Sequence, residues 1–174
     1  MLSKKFKLVI ISMIILISVV AFSYVSLNYN IPDHNDKKMS DILINSTTNI
    51  NKQSIRFVYK IDVENKRYVL FDSGMSNQLL LYTLKIGINN KYKLESIITT
   101  SEKKSFIEII NNNQYLIAYG KNLNKLPNYR VLLENNAEKF KVDFDVKGSE
   151  YFINFKKMEL KEKRYTIYSN KFTN

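Results

Sequence analysis

The sequence predicts an all-β protein: an antiparallel β-sandwich, Ig-like or related, preceded by one N-terminal transmembrane helix. Three observations point there. Residues 8–27 form an apolar run without a charge. From about Ile55 onward, apolar residues alternate with polar ones instead of recurring every three or four. The alternating stretches are short and are separated by turn-forming residues.

The N-terminus comes first. Lys4, Lys5 and Lys7 precede the run from Leu8 to Leu27, whose 20 residues carry no charge. At ~1.5 Å per residue a helix of that length crosses a hydrocarbon core of ~30 Å. Lysines before the run and none within it place residues 1–7 in the cytoplasm and the rest of the chain outside. A soluble core helix would show a polar stripe, and this run has only scattered serines. The competing reading is a cleaved signal peptide, because Ala21-Phe22-Ser23 offers small residues at the −3 and −1 positions before Tyr24. Against that, the run exceeds the roughly 7–15 apolar residues of a signal core.

Residues 28–53 read as a linker, with or without an edge strand. Asn28 to Ser40 is polar, holds one of the two prolines and shows no apolar periodicity. Asp41 to Ile50 fits either an added edge strand or a short helix. His34, the one histidine, lies here between Asp33 and Asp36. A single imidazole in a solvated linker is not a metal site.

Residues 54–174 read as one extracytoplasmic β domain. In "EKFKVDFDVKG", Phe140, Val142, Phe144 and Val146 share one face, while Lys139, Lys141, Asp143 and Asp145 share the other. That is a strand with a buried face and a wet one. "IRFVYKIDV" and "RYVLF" are joined through Glu64-Asn65-Lys66, as in a hairpin. "LLLYTLKIGI" and "KYKLESIIT" flank Asn89-Asn90, and asparagine tolerates the left-handed backbone of a tight turn. "SFIEII" and "QYLIAYG" flank an Asn-rich turn, and "YRVLLE", "EYFINFKK" and "RYTIYS" complete about nine or ten strands. No helical pattern intervenes, so a parallel α/β architecture is not expected. No sequence repeat marks a propeller or a solenoid.

Composition removes whole classes of chemistry. Without cysteine there are no disulfides, thiol nucleophiles, cysteine metal sites or lipid-modified cysteine. One histidine, outside the domain, excludes His-based triads and multi-histidine metal sites there. A hydrophobic fraction of 45% is enough for a packed core. Of 27 basic residues, 24 follow the first three lysines, against 16 acidic ones. That excess attracts anionic partners such as lipid headgroups or acidic envelope polymers. The topology argues against nucleic acid as a partner.

Three motifs carry a chemical suggestion. "VLFDSGMS" presents Asp72 as retroviral-type aspartic proteases present their catalytic aspartate. Such a site needs two aspartates sharing a proton, and no convincing second copy follows. Met75 stands where that family has a small residue. Asp-Ser-Gly also begins turns, and on that reading Asn replaces Asp72 with the fold intact and any loss small. Ser101-Glu102-Lys103-Lys104 has Ser-x-x-Lys spacing, but it falls between strands and lacks its partner motifs. "AYGKNLNKLPNY" contains a Gly-Lys pair without the longer glycine loop of a P-loop, and Asn122 replaces its hydroxyl residue. Gly120 to Asn128 therefore reads as a surface loop.

The lysine-led apolar start, "YLIAYGKN" and "EYFINFKK" give the chain a layout that resembles uncharacterised small membrane-anchored or secreted extracytoplasmic proteins of A/T-rich Gram-positive bacteria. The resemblance implies no activity and transfers no functional residues. The expectation is a non-enzymatic protein, binding or structural at the cell envelope. It has no catalytic, cofactor or metal residues, contacts the membrane through residues 8–27, and meets anionic envelope polymers or another envelope protein. The alternatives are secretion after cleavage, or a carboxylate-dependent hydrolase using Asp72.

Overall fold

The computed structural model describes residues 4–47, 52–74, 78–159 and 165–173. Among them are ten strands: β1 (Arg56–Val63), β2 (Lys66–Asp72), β3 (Leu79–Ile86), β4 (Tyr92–Thr100), β5 (Lys103–Ile110), β6 (Asn113–Lys121), β7 (Asn128–Glu134), β8 (Lys139–Asp145), β9 (Tyr151–Met158) and β10 (Thr166–Thr173). Two α-helices, α1 (Lys4–Asn28) and α2 (Asp36–Ser46), and a single 3-10 turn (Lys52–Ser54) precede them.

Every strand pairing is antiparallel, as the alternation predicts. Tight turns use left-handed residues. Asn111 and Asn112, with φ of 48° and 66°, join β5 to β6 as the favoured two-residue hairpin requires.

The strands form three sheets, ordered β1-β2-β3-β4, β5-β6-β9 and β10-β7-β8. The expected sandwich of two sheets is thereby corrected to a stack of three. Strand β6 shows why. Its Ile117 and Tyr119 pack against Tyr68, Leu70 and Leu81 of the first sheet. Its Leu116 and Ala118 pack against Tyr129, Val131 and Phe144 of the third. The middle sheet is thus covered on both faces, and so is the first. Strands covered on both faces read as unbroken apolar runs, which is what "YVLF", "LLLY" and "YLIAY" are. The strictly alternating β8 lies outermost, with Phe144 buried and Lys139, Lys141 and Asp145 in solvent.

The segment taken for a linker is corrected as well. Asn35 caps α2 by accepting the Lys38 N–H at 2.9 Å, and Asp36 places a negative charge in the first turn. Met39 and Leu43, one helical turn apart, are fully buried against Val69, Phe71, Leu80 and Tyr82. The Thr47 hydroxyl meets that of Tyr82 at the end of the helix. Ahead of α2, Ile31 exchanges both backbone hydrogen bonds with Tyr92, at 3.0 and 2.8 Å. Arg67 reaches Asp33 at 2.7 Å and Lys60 reaches Asp36 at 2.6 Å. The chain leaving α1 is therefore fastened to the domain. Of the two readings for Asp41 to Ile50, the helix holds as far as Ser46; residues 48–51 lie outside the described residues.

Candidate functional site

Asp72 ends β2 with its side chain only 7% exposed. It sits between Arg56 of β1 and Leu79 of β3 in the first sheet. Across the layer boundary, Lys121 ends β6 and Tyr151 begins β9, paired with each other in the second sheet. Asp72 Oδ2 accepts the Tyr151 hydroxyl at 2.5 Å, with Arg56 Nη2 at 3.4 Å and Lys121 Nζ at 3.9 Å. Oδ1 accepts the Gly74 N–H at 3.1 Å. Arg56 also donates to the Tyr151 oxygen at 3.1 Å, so a proton-donating chain runs from guanidinium to phenol to carboxylate. Both cations lie over the Tyr151 ring, Lys121 at 5.3 Å and Arg56 at 5.7 Å from its centroid.

The electrostatics follow. Burial alone would raise the Asp72 pKa. The Tyr151 and Gly74 hydrogen bonds and the charges of Lys121 and Arg56 outweigh it and hold the carboxyl below its usual range. Burial and the adjacent carboxylate push the Tyr151 phenol well above its ordinary value. The cluster is organised to keep Asp72 as an anion. A proton-sharing aspartate pair needs a second carboxylate against the first. Here Tyr151, Gly74, Arg56 and Lys121 all face Asp72 as donors, and Glu150 meets the cluster on Lys121, at 3.9 Å. The arrangement suits an electrostatic rivet between two sheets.

Asp-Ser-Gly does begin a turn, as expected. The Ser73 N–H donates to the Gln78 carbonyl at 2.9 Å, and the Gln78 N–H to Ser73 Oγ at 3.1 Å. Gly74 has φ of 68°, and a Cβ there would stand 2.8 Å from the Ser54 carbonyl oxygen. Met75 lies outside the described residues. What changes is the idea that Asn can replace Asp72 freely. One oxygen of the carboxylate faces Tyr151, Arg56 and Lys121, and the other faces an N–H. Whichever way an Asn amide turns, its NH2 meets a donor.

The other motifs resolve simply. Ser101 sits in the connection from β4 to β5, without the helical turn that would bring Lys104 beside it. Gly120 and Lys121 still belong to β6, so the predicted loop starts later, at Asn122. Asn122 is fully buried and clips that loop, exchanging hydrogen bonds with Leu126 at 2.7 and 3.0 Å. His34 is 93% exposed beside Asp33. Among the described residues, no group of three or more potential metal ligands converges.

Sequence reasoning missed Arg56, Lys121 and Tyr151. Counting back from the hairpin at Glu64-Asn65 places Phe57 opposite Asp72. A bulge between Phe57 and Tyr59 shifts the register and brings Arg56 there instead. Next to the cluster, Ser101, Glu102, Lys103, Lys121, Leu123 and Phe172 line an open groove. Lys103 lies 5.0 Å from the centre of the Phe172 ring. Lys121 belongs to both cluster and groove. Comparison of this chain with protein-family models, with curated proteins and with solved structures finds no match.

Proposed function

We propose that this is a single-pass membrane protein, N-terminus inside, whose β domain stands outside the cell and works by binding or scaffolding at the envelope, without catalysis. The observation that carries this reading is α1: residues Phe6–Asn28 are long and apolar enough to cross a bilayer, and the apolar window is not buried against the domain. Its partner would be an anionic envelope polymer or another envelope protein. The basic excess supports the first, and the groove between Lys103 and Lys121 is where we would place it.

The test is topological. Protease added to intact cells degrades the domain, while a reporter fused ahead of Lys4 stays protected. Mass spectrometry of the mature N-terminus separates the two forms of the reading. A chain that starts at Tyr24 replaces the anchor with secretion, the alternative favoured by Ala21-Phe22-Ser23.

A further inference from the structure

The first sheet has two ends. The Asp72 end carries the groove. At the other end, where Lys66 pairs with Lys85, β3 turns into β4 through Gly87–Lys91. This tip is fastened to the residue that follows α1. The Tyr29 ring covers Gly87 so closely that a Cβ there would come within 2.4 Å of it. Asn89 Nδ2 donates to the Tyr29 carbonyl at 3.1 Å, while the Tyr29 N–H still continues α1 by donating to Val25. The tip therefore sits at the helix exit.

Its surface is unusual for an end held against a polar medium. Ile88, at the apex, is 91% exposed, and Ile86 before it is 36% exposed. Lys85, Lys91 and Lys93 belong to the same tip, Lys91 exposed and the other two half-buried, and none of the three has an ion-pair partner among the described residues. An apolar apex on a lysine-rich tip, beside an apolar helix, has the make-up of an interfacial membrane contact. In contacts of that kind an isoleucine enters the headgroup boundary and lysines meet lipid phosphates. Tyr24, near the end of the same helix, and Tyr29, just after it, are the residue type that settles at that level.

We infer that the β3–β4 hairpin tip is a second membrane-contact site, specific for anionic lipid headgroups, which sets the domain upright with the groove facing away from the bilayer. This rests on the anchor reading of α1. It also gives a reason for the fastened neck, since a loose tether would let the domain tumble.

The full-length protein, reconstituted into vesicles, tests it. The chain has no native cysteine, so Ile88→Cys, Val20→Cys and Leu123→Cys each take one polarity-sensitive dye. Leu123, 74% exposed, follows β6 at the Asp72 end, roughly 20 Å away by strand length. With phosphatidylglycerol present, dyes at 20 and 88 should shift to the blue and be quenched by nitroxide lipids, while the dye at 123 stays in water. Replacing phosphatidylglycerol with phosphatidylcholine, or Lys85, Lys91 and Lys93 with Ala, should abolish the response at 88 alone. A dye at 88 that stays in water while that at 20 is in lipid overturns the inference and leaves the anchor standing. A dye at 20 in water overturns both. Equal burial of 88 in neutral vesicles, or burial of 123 with it, overturns the anionic, upright form proposed.

Discussion

Replacing Asp72 with Asn removes one charge and almost no volume, so it isolates the electrostatic role of the cluster. The hydrogen bond from Tyr151 is charge-assisted and part-buried; such a bond contributes about 1.5–3 kcal/mol. Arg56 is 66% exposed, which limits its share to about 0.5 kcal/mol. The misdirected amide hydrogen adds a local cost, for a total of about 2–4 kcal/mol. The assay is urea unfolding of the full chain in detergent micelles, with Tyr151→Phe and the double variant completing a cycle. The coupling between the two should be about 1–3 kcal/mol. The pH dependence has a definite sign. The folded carboxyl titrates below its ordinary value of 3.8, so its contribution is present above that value and lost as pH falls through the depressed one. The gap between wild type and Asp72→Asn should close in acid. A gap below about 0.5 kcal/mol at neutral pH, the range of an ordinary surface change, would refute the rivet. Envelope function lost with stability unchanged would instead revive the carboxylate hydrolase.

Phe144, 6% exposed, should cost about 3–5 kcal/mol on change to Ala, whereas Lys139→Ala, on the wet face of the same strand, should stay within about 0.5 kcal/mol. Equal effects in the same melts would overturn the register of β8. Leu43→Ala should cost about 2–5 kcal/mol, because α2 is part of the core. It should also expose the stretch between α1 and β1 to limited proteolysis, and an unchanged melt would return that stretch to the status of a linker.

Local patterns are legible in the amino-acid order. The alternation in "KFKVDF" reveals both faces of β8, because a strand's side-chain period is independent of what it packs against. Asn111-Asn112 marks a hairpin through backbone preference alone. The apolar run of α1 is legible because a helix that satisfies its own backbone needs no neighbours. The start of α2 is signalled too, by Asn35 and Asp36, but two buried residues in 11 are too few to separate a short helix from polar chain. Its stability comes from the sheet beneath it.

The sequence by itself determined the apolar N-terminal helix, the strands and their turns, since these depend on neighbours a few residues apart. Tertiary structure alone decided that the sheets number three, that the apparent linker closes the core, and that Asp72 is held in place. Those outcomes depend on which apolar face covers which. Tyr151 lies 79 positions beyond Asp72, and a bulge whose shift no residue count reveals brings in Arg56. Side chains so far apart along the chain meet only because two sheets stack, and the free energy that stacks them is spread over the whole core.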